Sequence, residues 1–228
     1  MKKKILTFSL FLIFCIGLYA QPKVVGEPRM IAKTSEPLQR PVWSPDGAKL
    51  LLNYGQWEVS VDGTNLRQAS ANQLKATICT NPLLLQMIDN PDGVADKVEM
   101  LKSLSGYIIF NPVLSPKGDK IAFQAGNGLY VCDADCQADV STLRKFDKGE
   151  RATWTPDGKY LVVMCIEDDG YVVTKGELYS INAATGVRSL LLSSDKYVAV
   201  SPAISPDGKK LAFENYADGA IYVMDIQY

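Results

Sequence analysis

After residue 20 the chain alternates short apolar runs with polar, turn-forming clusters every eight to twelve residues. This strand-like period, without a long helical one, predicts an all-β protein. One pattern recurs four times. An apolar run ends in Trp43, Leu114, Trp154 or Ile204 and meets a turn: Ser44-Pro45-Asp46-Gly47, Ser115-Pro116-Lys117-Gly118, Thr155-Pro156-Asp157-Gly158 or Ser205-Pro206-Asp207-Gly208. A second apolar run follows each turn, over 49–52, 120–123, 159–163 and 210–213. Proline at the second position pre-sets φ for a type I turn, Ser or Thr ahead of it can bond the local backbone, and Asp suits the third position. Glycine at the fourth takes a positive φ and gives a three-residue hairpin loop with a bulge. A hairpin written four times predicts a repeat architecture. The turn serines are read as scaffold rather than nucleophiles, because the residue is repeated and nothing beside it could deprotonate it.

The repeats fall near 38–70, 107–146, 147–193 and 194–228. Residues 71–106 lack the full turn but fit a degraded copy, with Asn81-Pro82 and Asn90-Pro91-Asp92-Gly93 as turns. An inserted helical or irregular segment is the alternative there. A fifth repeat places the turn prolines at 45, 82, 116, 156 and 206, with intervals of 37, 34, 40 and 50. The repeat over 147–193 carries a long loop, 167–176. The last repeat ends one strand short, and an orphan strand lies at Arg29–Ala32. Joining the two completes a ring. The pattern therefore predicts a β-propeller of five four-stranded blades, closed by the N-terminal strand joining the last blade.

Composition sharpens this. Lys2-Lys3-Lys4 followed by the apolar run from Ile5 to Leu18 reads as a signal peptide over 1–20, with cleavage after Ala20. The run is short for a bilayer span, and no other stretch is a candidate, so no membrane insertion is expected after cleavage. The mature domain would run over 21–228, about 208 residues, periplasmic or secreted. Losing three lysines leaves 21 basic residues against 25 acidic ones, a net charge of −4. No basic patch suits nucleic acid. The chain has no histidine, which removes Ser-His-Asp and Cys-His mechanisms and the commonest zinc ligand. Cys132 and Cys136 lie four apart across a predicted turn, so a local disulfide is open to them in an oxidising compartment. Cys79 and Cys165 sit in apolar strand patterns and read as buried thiols.

The sequence Pro-x-(Trp/Leu/Ile)-Ser-Pro-Asp-Gly-Lys-Lys-Leu-Ala-Phe, followed by Gly-x-Ile-Tyr-Val-Met-Asp, resembles the WD-like propeller repeat of the TolB family. The likeness is strongest at 202–226 and good at 41–54, 112–133 and 152–181. It implies a propeller, and a role with a peptidoglycan-associated lipoprotein at the outer membrane.

Propeller ligands usually meet the face built from the loops joining strands two and three and from the links between blades. Candidates on it are Trp57, Glu167, Asp168, Asp169, Tyr171, Asp195, Tyr197, Asn215, Tyr216 and Asp218. Exposed aromatic and acidic loop residues suit a peptide or protein. Asp133, Asp135 and Asp139 lack the glycine and terminal glutamate of a calcium loop and read as a solvated turn. Adjacent Asp168 and Asp169 are poorly placed for glycosidase chemistry, which needs separated, opposed carboxyls. The expectation is an exported, non-catalytic, monomeric module without a cofactor, binding a protein or peptide of the cell envelope. A glycan-binding or carboxylate-only glycan-active propeller, and a structural spacer in an envelope complex, are the alternatives.

Overall fold

The computed structural model describes residues 21–69, 109–134 and 143–228. The signal-peptide reading over 1–20, the fifth repeat over 71–106, Cys79 and Cys136 lie outside these residues. What is described is all-β apart from one 3-10 turn at Asn53–Gly55. Four antiparallel sheets of four strands each account for it.

Sheet I holds β2 (Val42–Trp43), β3 (Lys49–Leu52), β4 (Trp57–Ser60) and β5 (Arg67–Gln68). Sheet II holds β6 (Ile109–Leu114), β7 (Lys120–Ala125), β8 (Gly128–Asp133) and β9 (Arg144–Phe146). Sheet III holds β10 (Glu150–Trp154), β11 (Tyr160–Asp168), β12 (Val173–Asn182) and β13 (Arg188–Leu192). Sheet IV holds β14 (Ala199–Ile204), β15 (Lys210–Asn215) and β16 (Ala220–Gln227), and its fourth strand is β1 (Lys23–Ala32). β1 runs antiparallel to β16 from Lys23↔Gln227 to Ala32↔Ile221. The orphan strand therefore does join the last sheet, and it is longer than the expected 29–32. Its register shifts between Val25 and Arg29, where Gly26 takes a φ of +76°.

All four turns have the expected geometry. Gly47, Gly118, Gly158 and Gly208 have φ of 68°, 72°, 71° and 73°. Each glycine N–H donates to the carbonyl of the turn's Ser or Thr at 2.8–2.9 Å. The hydroxyl adds a second lock. Ser44, Thr155 and Ser205 donate to Asp46, Asp157 and Asp207 at 2.6 Å, and each accepts the amide five residues on. Where Lys117 replaces the aspartate, Ser115 donates instead to Asp119, at 2.7 Å.

The second strand of each sheet is buried along most of its length: Leu50–Leu52, Ile121–Ala125, Leu161–Met164 and Leu211–Asn215. These strands read as continuous apolar runs because each sheet is covered on its faces by its neighbours. Three apolar clusters fill the spaces. Trp43, Leu50 and Val59 of sheet I meet Ile31, Ala203, Ala212 and Ile221 of sheet IV. Val162 and Leu178 of sheet III meet Val200, Leu211 and Phe213 of sheet IV. Ala122, Leu129 and Val131 of sheet II meet Trp154, Leu161 and Ile181 of sheet III. The indole N–H of Trp154 crosses from sheet III to the Val113 carbonyl of sheet II at 3.1 Å. Trp43 makes the same bond from sheet I to the Ala203 carbonyl of sheet IV, at 2.9 Å. The first sheet thus packs on the last as the third packs on the second.

The loop expected over 167–176 is mostly strand. β11 and β12 stay paired as far as Asp168↔Val173, which leaves a short tip at 169–172. The β-branched run Val172-Val173-Thr174 favours extension.

Candidate functional site

The first strands β2, β6, β10 and β14 surround one cavity of about 340 Å³. Its wall includes Arg40, Val42, Tyr54, Asn111, Arg151 and Ser201. Arg40, Asn111, Arg151 and Ser201 occupy one position in four repeats, four residues before the Ser or Thr of the turn. All four have a left-handed backbone, with φ of 52°, 49°, 47° and 51°. In sheets II, III and IV the register slips at this point, between Phe110 and Val113, Glu150 and Thr153, and Val200 and Ala203. Such bulges re-aim a side chain. A left-handed conformation in a residue other than glycine costs of order 1–3 kcal/mol and clusters at binding sites.

Three of these left-handed positions are tied down from the neighbouring sheet by the residue that follows a second-strand apolar run. Gln124 Oε1 of sheet II accepts the Arg151 amide of sheet III at 3.2 Å, and also the Asn111 side-chain amide at 2.6 Å. Met164 Sδ of sheet III accepts the Ser201 amide of sheet IV at 3.3 Å. Glu214 Oε2 of sheet IV accepts the amide of Arg40, which precedes sheet I, at 3.3 Å. Gln124, Met164 and Glu214 are equivalent in the repeat, and all three are buried.

Electrostatics concentrate here. Burial raises the Glu214 carboxyl above its ordinary value, while the Arg40 amide, the Ser201 hydroxyl and the charges of Arg151 and Arg40 pull the other way. Burial, and then the charge of Arg40, lower the Arg151 guanidinium. The Arg40 guanidinium lies over the Tyr54 ring, 4.5 Å from its centroid. A second cavity, of about 560 Å³, lies between sheets II and III. Its carboxylate Glu177 is already engaged, by the Ser193 and Tyr179 hydroxyls at 2.5 and 2.9 Å and by Lys175 at 3.0 Å.

The loop candidates divide. Tyr171 is 95% exposed and Tyr216 43%. Asp168 accepts the Gly170 amide at 2.9 Å, and Asp169 accepts the amides of Tyr171 and Val172 at 3.0 and 2.9 Å, so both shape the hairpin tip. Glu167 is exposed, 3.7 Å from the Lys175 ammonium. Asp195 is exposed in the link between β13 and β14.

The others make contacts within the fold. Trp57 packs on the core of sheet I and faces Leu52. It stands where Tyr130, Tyr179 and Tyr222 face Phe123, Val163 and Phe213. Tyr197 is edge-on to Phe213 and Tyr222, at 5.9 and 5.1 Å. Asn215 is buried and accepts the Val198 amide at 2.8 Å. Asp218 accepts the Ala220 amide at 3.0 Å and the Tyr222 hydroxyl at 2.9 Å. Cys132 is buried in β8. The cavity residues were missed by an argument made from loops. The signal for them was a polar residue recurring at one place in an otherwise apolar first strand.

Fold and cavity together define an all-β protein of propeller-type sheets. No protein-family model matches the chain, and no curated protein sequence matches it. Solved structures do. It is 20% identical to a putative TolB from Agrobacterium tumefaciens (TM-score 0.39), covering 86% of this chain and 60% of that one. It is 17% identical to the β-propeller domain of the Trilobed protease from Pyrococcus furiosus (TM-score 0.39), covering 52% of this chain and 39% of that one. It is 15% identical to an oligogalacturonate lyase from Vibrio parahaemolyticus (TM-score 0.38), covering 86% of this chain and 50% of that one. The chain therefore spans less than two thirds of each of these proteins. The lyase corrects one expectation. A chain of similar structure is an enzyme, so a propeller of this kind does not by itself mark a non-catalytic module. Among the described residues, no helix is long and apolar enough to cross a membrane.

Proposed function

We propose that the chain is an exported recognition module, a closed propeller that binds a protein or peptide of the cell envelope. Its contact face is the end of the sheets that carries the β3–β4, β11–β12 and β15–β16 connections. The observation that carries this reading is the set of exposed apolar side chains on those three connections. Tyr54 is 63% exposed, Tyr171 95%, Val172 50% and Tyr216 43%. Aromatic side chains bury large area at low entropic cost and anchor interfaces. The turn motif's likeness to the TolB repeat supports the envelope setting. The test is a photo-crosslinking amino acid placed at 171 or 216, with position 46 on the opposite end as control. One partner of defined mass, captured from the envelope at 171 and 216 but not at 46, supports the reading. Equal labelling at all three positions sinks it.

A further inference from the structure

The central cavity holds more positive charge than its wall neutralises. Arg40 precedes sheet I and Arg151 belongs to sheet III, which sheet IV separates, yet the charge of Arg40 reaches Arg151 and disfavours it. Among the described residues, neither guanidinium has an ion-paired carboxylate within 4 Å. Glu214 and Glu150 are the acids that act on Arg151, and Glu214 spends a carboxylate oxygen on the Arg40 backbone amide. Arg40 is stacked on Tyr54, which leaves the N–H edge of its planar fork to face a ligand. Both arginines have a left-handed backbone whose amide is held by a neighbouring sheet, so their backbones are fixed before anything binds. Two like charges held in a partly desolvated cavity are costly unless an anion joins them.

We propose that this cavity is a carboxylate-binding site, in which Arg40 and Arg151 together hold one carboxylate group. Guanidinium forks match carboxylate geometry with paired hydrogen bonds. Beside Glu214 and Glu150, both of which act on Arg151, a carboxylate monoanion brings less like-charge repulsion than a phosphate dianion. The side-chain amide of Asn111 and the Val42 side chain complete a wall that is polar at one side and apolar at the other. The ligand is then an organic acid with an apolar portion, either free or displayed on an acidic peptide. This goes beyond the loop-face reading: a partner at 171 and a carboxylate between the arginines can succeed or fail separately.

Calorimetric titration of the mature chain with glutarate, tetraglutamate, tetraglutamine and inorganic phosphate tests it. Saturable binding of glutarate or tetraglutamate is expected, and none of tetraglutamine. Arg40→Gln and Arg151→Gln should each weaken it at least about tenfold, the loss of one charge-assisted hydrogen bond. Arg151→Lys, which keeps the charge but not the fork, should not restore it. Binding of both carboxylates marks a free-acid site, and binding of the peptide alone marks an acidic-peptide site. If a variant fails to fold, phenylglyoxal labelling of the unmutated chain serves instead. Carboxylate should slow the modification of Arg40 and Arg151 and leave Arg29 unaffected. Absence of carboxylate binding, tighter binding of phosphate, or no protection at these two arginines would overturn the proposal.

Discussion

The hydroxyl that opens each turn donates to a carboxylate and accepts a backbone amide. At Thr155, which is fully buried, the accepted amide is that of Tyr160, at 3.1 Å. Thr155→Val keeps the shape and strands that amide. The expected cost is about 1–3 kcal/mol, read as a lower urea midpoint at unchanged slope. The same hydroxyls set an acid limit. Asp46, Asp119 and Asp207 are held below the ordinary carboxylate value, in each case first by the serine hydroxyl. A depressed folded pKa contributes stability above the unfolded value, about 3.9, which is lost as pH falls through the folded one. Unfolding midpoints should therefore drop as pH falls below about 4, and less steeply in Asp207→Asn. Glu214 has the opposite sign. Its raised pKa means that stability is lost as pH rises above about 4.3. The stability of Glu214→Gln relative to the parent should thus improve from about pH 4 to about pH 7, measured by urea titration.

Between elements, the seams hold the molecule together. Trp154→Phe keeps the aromatic packing and removes the bond to the Val113 carbonyl, a loss of about 1 kcal/mol by chemical denaturation. Gly176 in β12 lies against β14 so closely that an added Cβ would stand 2.6 Å from the Ala199 carbonyl oxygen. Gly176→Ala must push sheets III and IV apart, at a cost of about 1–3 kcal/mol or more, read from its thermal melt. Gly176 was legible only as part of a loop, because the closeness of a second sheet leaves no mark on local sequence. The turns were legible to the residue, since proline and glycine restrict φ on their own. The strands around them followed from apolar runs set between turns. The fourth strand of sheet II, β9, was not, because Arg144-Lys145-Phe146 carries one buried side chain and no alternation to detect. Trp57, Asn215 and Tyr197 looked like loop-face residues. Tyr197 and Asn215 are instead engaged by strands of their own repeat, and Trp57 by the core shared with sheet IV, pairings that a local window does not display.

For the whole molecule, the pairing of β1 with β16 is the element of longest range. A chain beginning at residue 33 loses the buried side chains of Ile31 and Ala32 and leaves β16 as an open edge. It should melt at a lower temperature and associate with rising concentration, seen by light scattering, because an unpaired edge templates pairing with another chain. The cavity belongs to this scale too. Its wall draws on all four sheets, so the arginines that share it are 111 residues apart (positions 40 and 151) and no local window contains both.

That same pairing orders events in time. Lys23 is among the first residues of the described fold to leave a ribosome, and Gln227, its partner, is among the last. Sheet IV cannot assemble while synthesis is under way, however quickly the middle sheets collapse. Sheet IV is completed only once synthesis has passed Gln227, and until then the edge of β1 that β16 will cover stays unpaired.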